Sequence, residues 1–370
     1  MESKAQTDEL EVLHKEMAEN HLGPLWSSIQ YLNTVEPMAK PIPYLWKASL
    51  IQKFLSRAEE LLEVGKGAER RAVFLINPGM EDLQPLGWGG ATQTLYVAVQ
   101  AVKPGEVAPA HRHTTSALRF IMSGSGASGR VEGQKFPFEP GDYLITPGWT
   151  WHDHTNDGEE TVTWMDCLDT PFTMYLNVCF TEFHPDKQQP LQLPDDYSAR
   201  RYRGGMVRPV SDRKAQISPL GRYRWDLTQK TLDGMSEFEA DPHDGYTVEY
   251  INPATGEDAD GRIGARMTKL PIGFQGKAHR HVHSNVYYVH AGSGYTVMNG
   301  TRFDWEEGDF FAVPAWTWHE HVNASHDSES YLFSVNDLPI MEAFGFEREE
   351  ELSASDGHQT VHDVFEPLLP

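Results

Sequence analysis

The stretch GEVAPAHRH at residues 105–113 decides the fold, because it occurs again as GFQGKAHRH at residues 273–281. Each copy consists of a glycine, five further residues and a His-x-His pair. A second pair of stretches follows, PGWTWH at residues 147–152 and PAWTWH at residues 314–319. The offset is 168 residues for the first pair and 167 for the second, so one residue is deleted between them. A repeat of this length with the same motif order indicates one duplicated barrel.

Short strands separated by glycine and proline surround both copies. Residues 93–102 alternate, with apolar side chains on one face. The other face carries Thr94, Tyr96, Ala98 and Gln100. This pattern begins near residue 71, runs to about residue 183 and resumes near residue 244. It predicts a mainly β chain built from antiparallel sandwiches or barrels.

The pattern divides the chain into five predicted segments. They are a helical arm at 1–70, a first barrel with the catalytic metal site at 71–183, a linker at 184–240, a second barrel at 241–345 and a tail at 346–370. Apolar spacing predicts helices over 8–22 and 47–64 in the arm, and a connecting helix over 223–232. The linker is rich in arginine, and it is either a solvated connection or a segment that meets acidic surface of its own chain or a partner subunit.

Six histidines recur in two sets of three. The first set is His111, His113 and His152, and the second is His279, His281 and His319. His-x-His on a strand directs both imidazoles to one face, since side chains alternate with period two. Imidazole suits iron, copper, zinc, manganese or nickel. We therefore predict a mononuclear metal site at the first set, whereas metal binding at the second is left open. The alternative is that duplication doubled structural histidines.

The spacing resembles that of the cupin family. The first cupin motif is matched by Gly105, His111, His113 and Gly124, and the second by Gly141, Pro147, His152 and Asn156, with Trp149 in place of a glycine. The resemblance implies two cupin barrels (double-stranded β-helix or jelly roll) with a helical arm and a partly helical linker. The usual glutamate ligand is missing, because Ala117 and Asn285 stand at its positions. Three neutral imidazoles leave a divalent ion at charge +2, which favours an anionic chelating substrate beside dioxygen.

Strand parity places further side chains beside the first metal. Arg119 points the same way as Ala117 and is suited to bind a carboxylate. His154, two residues after His152, can exchange a proton with a substrate hydroxyl. The other candidates are Tyr96, Ala98, Gln100 and Asp166. Three of these have structural alternatives, with Asp166 as a buried salt-bridge partner, Tyr96 as a wall residue and Gln100 as a partner of backbone groups.

The second copy keeps the histidines but not this pocket. Arg119 corresponds to Tyr287, and Asp166 falls near Phe333 or Ser334. Three further positions, Tyr96, Ala98 and Gln100, become Gly264, Arg266 and Thr268. The first copy is therefore predicted to hold an aromatic or enolic acid, and the role of Arg266 is left open.

The whole pattern resembles the gentisate 1,2-dioxygenases, bicupin ring-cleaving enzymes related to salicylate and 1-hydroxy-2-naphthoate dioxygenases. The most specific stretches are PAHRHTTSALRF at 109–120 and WTWHDH at 149–154. The resemblance implies one Fe(II) in the N-terminal cupin, a homotetramer, and conversion of gentisate and dioxygen to maleylpyruvate. It also implies that Arg119, His154, Gln100 and Asp166 contact the substrate. Tyr96 and Ala98 resemble the gentisate-selective choice, since salicylate-cleaving relatives carry tryptophan and glycine there.

Composition excludes several other classes of protein. The 31 basic and 54 acidic residues give a net charge of −23, which repels nucleic acid and acidic membranes. The two cysteines, Cys167 and Cys179, form no disulfide framework, and there is no apolar run of membrane-spanning length. The polar, acidic start of the chain is unlike a secretory signal. These features predict a cytoplasmic protein.

Three rival interpretations differ from the main one. Oxalate decarboxylases and quercetin dioxygenases typically retain the glutamate ligand, so Ala117 and Asn285 disfavour them. Non-enzymatic storage or sugar-binding bicupins often lose metal histidines, whereas six are present here. The third rival is a related dioxygenase that acts on 1-hydroxy-2-naphthoate, salicylate or a substituted gentisate. Sequence alone distinguishes it only poorly from a gentisate dioxygenase.

Overall fold

The computed structural model of the protein describes residues 4–64, 68, 70–83, 89–203, 208–213, 215 and 217–370. The chain divides into two compact units, residues 1–38 and residues 39–370. Over the described ranges, no helix has the length and apolar character of a bilayer-spanning segment.

Strands outnumber helices among the described residues. The α-helices are α1 Lys4–Glu19, α2 Leu25–Leu32, α3 Ala48–Leu61, α4 Thr170–Tyr175, α5 Tyr197–Arg201, α6 Trp225–Met235 and α7 Leu338–Ala343. The first strands are β1 Tyr44–Trp46, β2 Ala72–Phe74, β3 Tyr96–Val102, β4 Val107–His113, β5 Ala117–Ser123, β6 Ala127–Val131, β7 Gln134–Pro137, β8 Tyr143–Thr146, β9 His152–Asn156, β10 Val162–Leu168, β11 Thr181–Phe183 and β12 Arg222–Tyr223. The later strands are β13 Tyr246–Glu249, β14 Gly264–Leu270, β15 His279–His281, β16 Asn285–Ala291, β17 Ser293–Met298, β18 Thr301–Glu306, β19 Phe310–Val313, β20 His319–Val322, β21 Ser330–Asn336, β22 Glu349–Glu351 and β23 Asp363–Val364. Three 3₁₀ segments cover Pro78–Leu83, Val210–Asp212 and Ser355–Gly357.

The helices predicted in the arm and linker are observed as α1, α3 and α6, with shifted ends. Helix α2 has only 8 residues and was not predicted from the sequence. Gly23 and Pro24 precede it, and Pro24 has an extended backbone at the start of the helix. A run this short shows barely two turns of apolar periodicity, which is too little for a helical pattern to stand out.

Each half of the 39–370 unit is a barrel of two sheets. The first barrel has the strand orders β12-β8-β5-β10-β3-β2 and β11-β4-β9-β6-β7. The second has the orders β1-β19-β16-β21-β14-β13 and β22-β15-β20-β17-β18-β23. Within the first barrel, Val102 and Ile121 of one sheet pack with Ala127 and Phe136 of the other. The predicted fold of two mainly β barrels is confirmed.

Two short strands, β1 and β12, each add to the barrel that does not directly follow them in the sequence. The strand β12 pairs with β8, and the backbone N–H of Trp225 donates to Asp142 Oδ1 at 2.9 Å. The strand β1 pairs with β19, and the backbone N–H of Ala48 donates to Asp309 Oδ1 at 2.8 Å. The segment that precedes the first barrel in sequence therefore completes the second, and the linker completes the first. This exchange gives both repeated Gly-Asp pairs the same structural role.

The two barrels share a hydrophobic core between their six-stranded sheets. Apolar side chains of β3, β5, β8 and β10 pack there with those of β14, β16, β19 and β21. Phe120 and Phe333 stack across this core with ring centroids 4.2 Å apart. Because Val97 and Val99 belong to this core, the intervening Ala98 and its neighbours in register point into the first barrel.

Candidate active site

Two paired strands bring the three histidines of the first set together. His111 and His113 lie at the end of β4, and His152 begins β9. The strands pair antiparallel with His111 opposite His152. Their candidate ligand nitrogens all lie within 4.8 Å of one another. We call this set of three side chains the first triad.

Each imidazole of the first triad turns Nδ1 toward a backbone carbonyl. The distances are 3.0 Å from His111 to Pro109 O, 2.8 Å from His113 to Thr115 O and 3.0 Å from His152 to Thr150 O. A ring whose Nδ1–H donates to such a carbonyl has its lone pair on Nε2. Nε2 of His152 is buried and has no hydrogen-bond partner among the described residues. The residues present therefore fit a divalent metal ion.

Burial keeps the three rings neutral. Desolvation, with the charge of Arg70 as the next cause, lowers the pKa of His111 to about 3. Desolvation, with a contribution from Arg119, lowers the pKa of His113 to about 4. Burial also lowers the pKa of His152 well below its ordinary value. Neutral imidazole is the form that binds metal, so protons compete for these nitrogens only in acid.

Arg70 contacts the first triad and was not predicted from the sequence. Its Nη2 lies 2.8 Å from His111 Nδ1 and 3.3 Å from Pro109 O. A guanidinium only donates, so Arg70 Nη2 and Pro109 O are alternative partners of His111 Nδ1, and Arg70 Nη2 also lies 3.4 Å from His111 Nε2. The residue precedes β2 and lies outside both repeated motifs, so no local signal identified it.

A buried ion pair lies on the interior face of the first barrel. Strands β3, β10 and β5 align Ala98, Asp166 and Arg119 in one row. Arg119 Nε lies 3.0 Å from Asp166 Oδ1, and Arg119 Nη1 donates to Thr146 Oγ1. Asp166 Oδ2 accepts from Trp164 Nε1 at 2.9 Å. Asp166 therefore forms the salt bridge that was one of its two predicted roles, and it holds the guanidinium in place.

His154 and Gln100 have polar atoms available inside the barrel. Both side chains are buried, and neither His154 Nδ1 nor Gln100 Nε2 has a hydrogen-bond partner in the part of the chain that the structure describes. The His154 ring packs beside Phe138 and Trp164. Burial, reinforced by the charge of Arg119, lowers the pKa of His154 well below its ordinary value, so the ring is neutral.

Tyr96 occupies the first position of β3 and the same interior face. Its ring stacks on Phe74 with centroids 5.2 Å apart. Burial, with the charge of Asp166 as the second cause, raises the pKa of Tyr96 to about 12. The phenol is therefore neutral, and the ring forms part of the wall next to the Arg119–Asp166 pair.

Known proteins are similar to this chain over nearly its whole length. Residues 98–168 and 266–336 each match the Cupin domain model. The chain is 36% identical to 5-aminosalicylate 1,2-dioxygenase of Comamonas sp., over 98% of this chain and 95% of that protein. It is 34% identical to gentisate 1,2 dioxygenase 1 of Aquipseudomonas alcaligenes, over 94% of this chain and 98% of that protein. The chain belongs to the gentisate, salicylate and 1-hydroxy-2-naphthoate 1,2-dioxygenase family. The predicted family is confirmed.

A solved structure of another member of this dioxygenase family is also similar. It is salicylate 1,2-dioxygenase from Pseudoaminobacter salicylatoxidans with gentisate, at a TM-score of 0.87 and 33% sequence identity. The match covers 95% of each chain. The fold of two barrels with an N-terminal helical segment is therefore that of the ring-cleaving bicupin dioxygenases.

In this member of the dioxygenase family, the second set of histidines also converges. The candidate ligand nitrogens of His279, His281 and His319 lie within 4.8 Å of one another. Nδ1 of His281 and His319 contacts a backbone carbonyl, at 2.7 Å and 2.9 Å respectively. His319 Nε2 is buried and has no partner among the described residues, but Asn285 Nδ2 lies 3.3 Å from His281 Nε2. We call this set the second triad. Its third ring differs from those of the first triad, because His279 Nδ1 is buried and has no hydrogen-bond partner among the described residues.

The side chains next to the second triad differ from those next to the first. Strand register places Ser334 opposite both Tyr287 and Arg266, so Ser334 and not Phe333 corresponds to Asp166. Arg266 pairs with Glu249 at 2.6 Å. The corresponding row in the second barrel thus has a phenol and a hydroxyl where the first has the Arg119–Asp166 pair.

Proposed function

We propose that the protein is an Fe(II)-dependent dioxygenase that cleaves the ring of gentisate with dioxygen to give maleylpyruvate. The main support is the first triad, which consists of three neutral imidazoles without a carboxylate among the described residues. It lies in the same barrel interior as the buried Arg119 guanidinium. A substrate with a carboxylate beside a phenolic hydroxyl supplies the negative charge that the protein ligands omit. The first triad of His111, His113 and His152 would hold one Fe(II) per N-terminal cupin.

A ferrous ion bound there would supply open coordination positions and the redox chemistry for dioxygen. The chain itself binds and orients the aromatic acid. Arg119 neutralises the substrate carboxylate in a buried site, where such a charge-assisted contact is strong. Its guanidinium has five N–H donors, and only part of them is engaged by Asp166 and Thr146.

The remaining pocket residues handle the proton and the far side of the ring. Neutral His154 accepts a hydrogen bond from the phenolic hydroxyl at its unpartnered Nδ1. Gln100 donates through its unengaged Nε2, and Asp166 has lone pairs left to accept from a remote hydroxyl. Tyr96 and Ala98 shape the wall that faces the ring substituents. Holding the aromatic acid in a fixed pose next to dioxygen lowers the entropic cost of bringing the two reactants together.

A homotetramer and a cytoplasmic location complete the proposal. Membership of the dioxygenase family supports the first. The free cysteines Cys167 and Cys179 support the second, because unpaired thiols are typical of reducing compartments.

Oxygen uptake tests the proposed reaction directly. Protein reloaded anaerobically with Fe(II) is expected to consume gentisate and dioxygen in equal amounts, since both oxygen atoms enter the product. An oxygen electrode and the absorbance of the ring-cleaved product measure the two quantities, with metal-free protein as the control. Iron-bound protein that turns over none of gentisate, salicylate, 5-aminosalicylate and 1-hydroxy-2-naphthoate would contradict the proposal.

A second candidate substrate is 5-aminosalicylate. The 36% identity to a 5-aminosalicylate 1,2-dioxygenase over nearly the full chain favours it. Its amino group takes the place of the 5-hydroxyl of gentisate, and the Asp166 carboxylate can accept a hydrogen bond from either group. The ratio of kcat/KM for the two acids decides between them.

Tyr96→Trp is expected to shift preference toward salicylate. A larger indole on the Phe74 side fills the space that a ring substituent would occupy. One pocket substitution of this kind changes discrimination by roughly 10- to 100-fold, so the ratio of kcat/KM for gentisate over salicylate is expected to fall by that factor. Tyr96→Phe is the matched control, because it keeps the ring size and removes only the hydroxyl. An unchanged ratio in Tyr96→Trp would rule out a selective role for this residue.

A further inference from the structure

A side chain of the second barrel reaches the loop that follows His113. Arg262, two residues before β14, donates from Nη2 to Thr114 O and to Ser116 Oγ, each at 2.9 Å. Thr115 lies between these two anchors, and its carbonyl is the acceptor for His113 Nδ1. The guanidinium therefore fixes the backbone that sets the orientation of a metal-binding ring.

The same guanidinium lies against the loop that precedes His152. A Cβ at Gly148 would overlap Arg262 Nη2 and would lie 2.7 Å from Thr114 O. The backbone N–H of Trp149 donates to His113 O at 2.7 Å, so the two loops are joined directly. Arg262 thus packs where the segments carrying His113 and His152 meet.

Two buried carboxylates hold Arg262 and the loop together. Arg262 Nη1 lies 2.9 Å from Asp169 Oδ2, and Asp169 Oδ1 accepts from the backbone N–H of Ser116 at 2.8 Å. Asp260 Oδ2 accepts from Ser116 Oγ at 2.7 Å. The side chain of Asp169 is fully buried, so its charge needs the guanidinium as a partner.

The duplication provides an internal comparison. The counterpart of Arg262, 168 residues earlier, is Thr94, whose hydroxyl donates to Asp337 Oδ2. Asp337 Oδ1 accepts from the backbone N–H of Ser284 at 2.6 Å, in the loop that follows His281. In each barrel, a side chain from the other barrel thus contacts the aspartate that binds the loop after the His-x-His pair. Thr94 is much shorter than Arg262. Ala315, which has a Cβ, stands at the position equivalent to Gly148, where a Cβ would overlap Arg262 Nη2.

We propose that Arg262 is a positioning residue for the first triad. By fixing the two loops, it sets the relative placement of His113 and His152 and thereby the affinity of the first triad for a divalent metal. The consequence for ring cleavage rests on the proposed function, whereas the consequence for metal affinity does not.

Co(II) titration of metal-free protein tests this role, in a His281→Ala background that removes a ligand of the second triad. Arg262→Met keeps the aliphatic stem but loses the hydrogen bonds and charge. We expect it to weaken Co(II) binding by about 10- to 100-fold, as for other groups that orient metal ligands, and to alter the visible Co(II) bands. Arg262→Lys retains the charge toward Asp169 and is expected to recover part of the affinity. Should Arg262→Met not fold, an intermediate loss in Arg262→Lys carries the test.

Thr94→Val is the matched control, since it breaks the equivalent contact that holds the second triad. We expect it to leave Co(II) affinity at the first triad unchanged. Folded Arg262 variants with the parent affinity and spectrum would overturn the proposal, as would an equal loss in Thr94→Val. If the parent protein binds Co(II) but its iron form cleaves no substrate, the proposed function fails while the role of Arg262 is still decided by metal affinity.

Discussion

His113→Ala is expected to abolish ring cleavage, with a loss in kcat/KM of at least about 1,000-fold, which corresponds to roughly 4 kcal/mol. His113 is one of the three histidines of the first triad, and among the described residues no carboxylate joins this set. Its Nδ1 is held by Thr115 O, so the ring is already oriented for binding through Nε2. Oxygen uptake with gentisate and the iron content per chain measure the effect.

His281→Ala is the matched control, because it removes the equivalent ring from the second triad. We expect a substantial part of the activity to persist. The first triad shares its barrel interior with the Arg119–Asp166 pair, whereas the equivalent row in the second barrel holds Tyr287 and Ser334. Equal loss in the two variants would show that the second barrel also takes part in catalysis.

Arg119→Met is expected to lower kcat/KM for gentisate by about 100- to 1,000-fold, because the substrate carboxylate loses its buried cationic partner. The same change leaves Asp166 as an unpaired charge in the barrel, which costs roughly 3–5 kcal/mol of stability for a buried pair broken on one side. Steady-state kinetics and urea unfolding measure the two effects separately.

A double variant separates recognition from folding. Adding Asp166→Asn to Arg119→Met removes the unpaired charge, so the free energy of unfolding is expected to recover while activity stays low. Asp166→Asn alone keeps the guanidinium and its contact with Thr146, and it is expected to retain more activity than Arg119→Met. Full activity in the double variant would mean that Arg119 serves only the stability of the barrel.

Much of the candidate site could be predicted from local patterns. A His-x-His pair on a strand places both rings on one face whatever the rest of the fold does. The repeat then predicted a second, equivalent set of three histidines. Strand parity likewise predicted that Arg119 and His154 point into the first barrel, and the register observed for β5 and the triad strands agrees with that direction.

Contacts between distant segments could not be predicted in this way. Arg70 beside His111 and Arg262 beside Thr114 lie outside the repeated motifs. The duplication suggested two separate barrels. In the structure, however, β1 pairs with a strand of the second barrel and β12 pairs with a strand of the first. Which of Phe333 and Ser334 corresponds to Asp166 depended on the register of β21.

By itself, the sequence determined the fold class, the family and the two histidine sets, because alternation and repeat spacing are properties of the chain that need no partner. The pairing of Asp166 with Arg119, the contact of Arg70 with the first triad, and the contact of Arg262 with the loop after His113 became known only from the tertiary structure. The physical reason is that such contacts depend on which strands lie side by side and on how far a side chain reaches between them. The sequence of a single strand shows neither which strands lie beside it nor how far a side chain of another segment extends toward it.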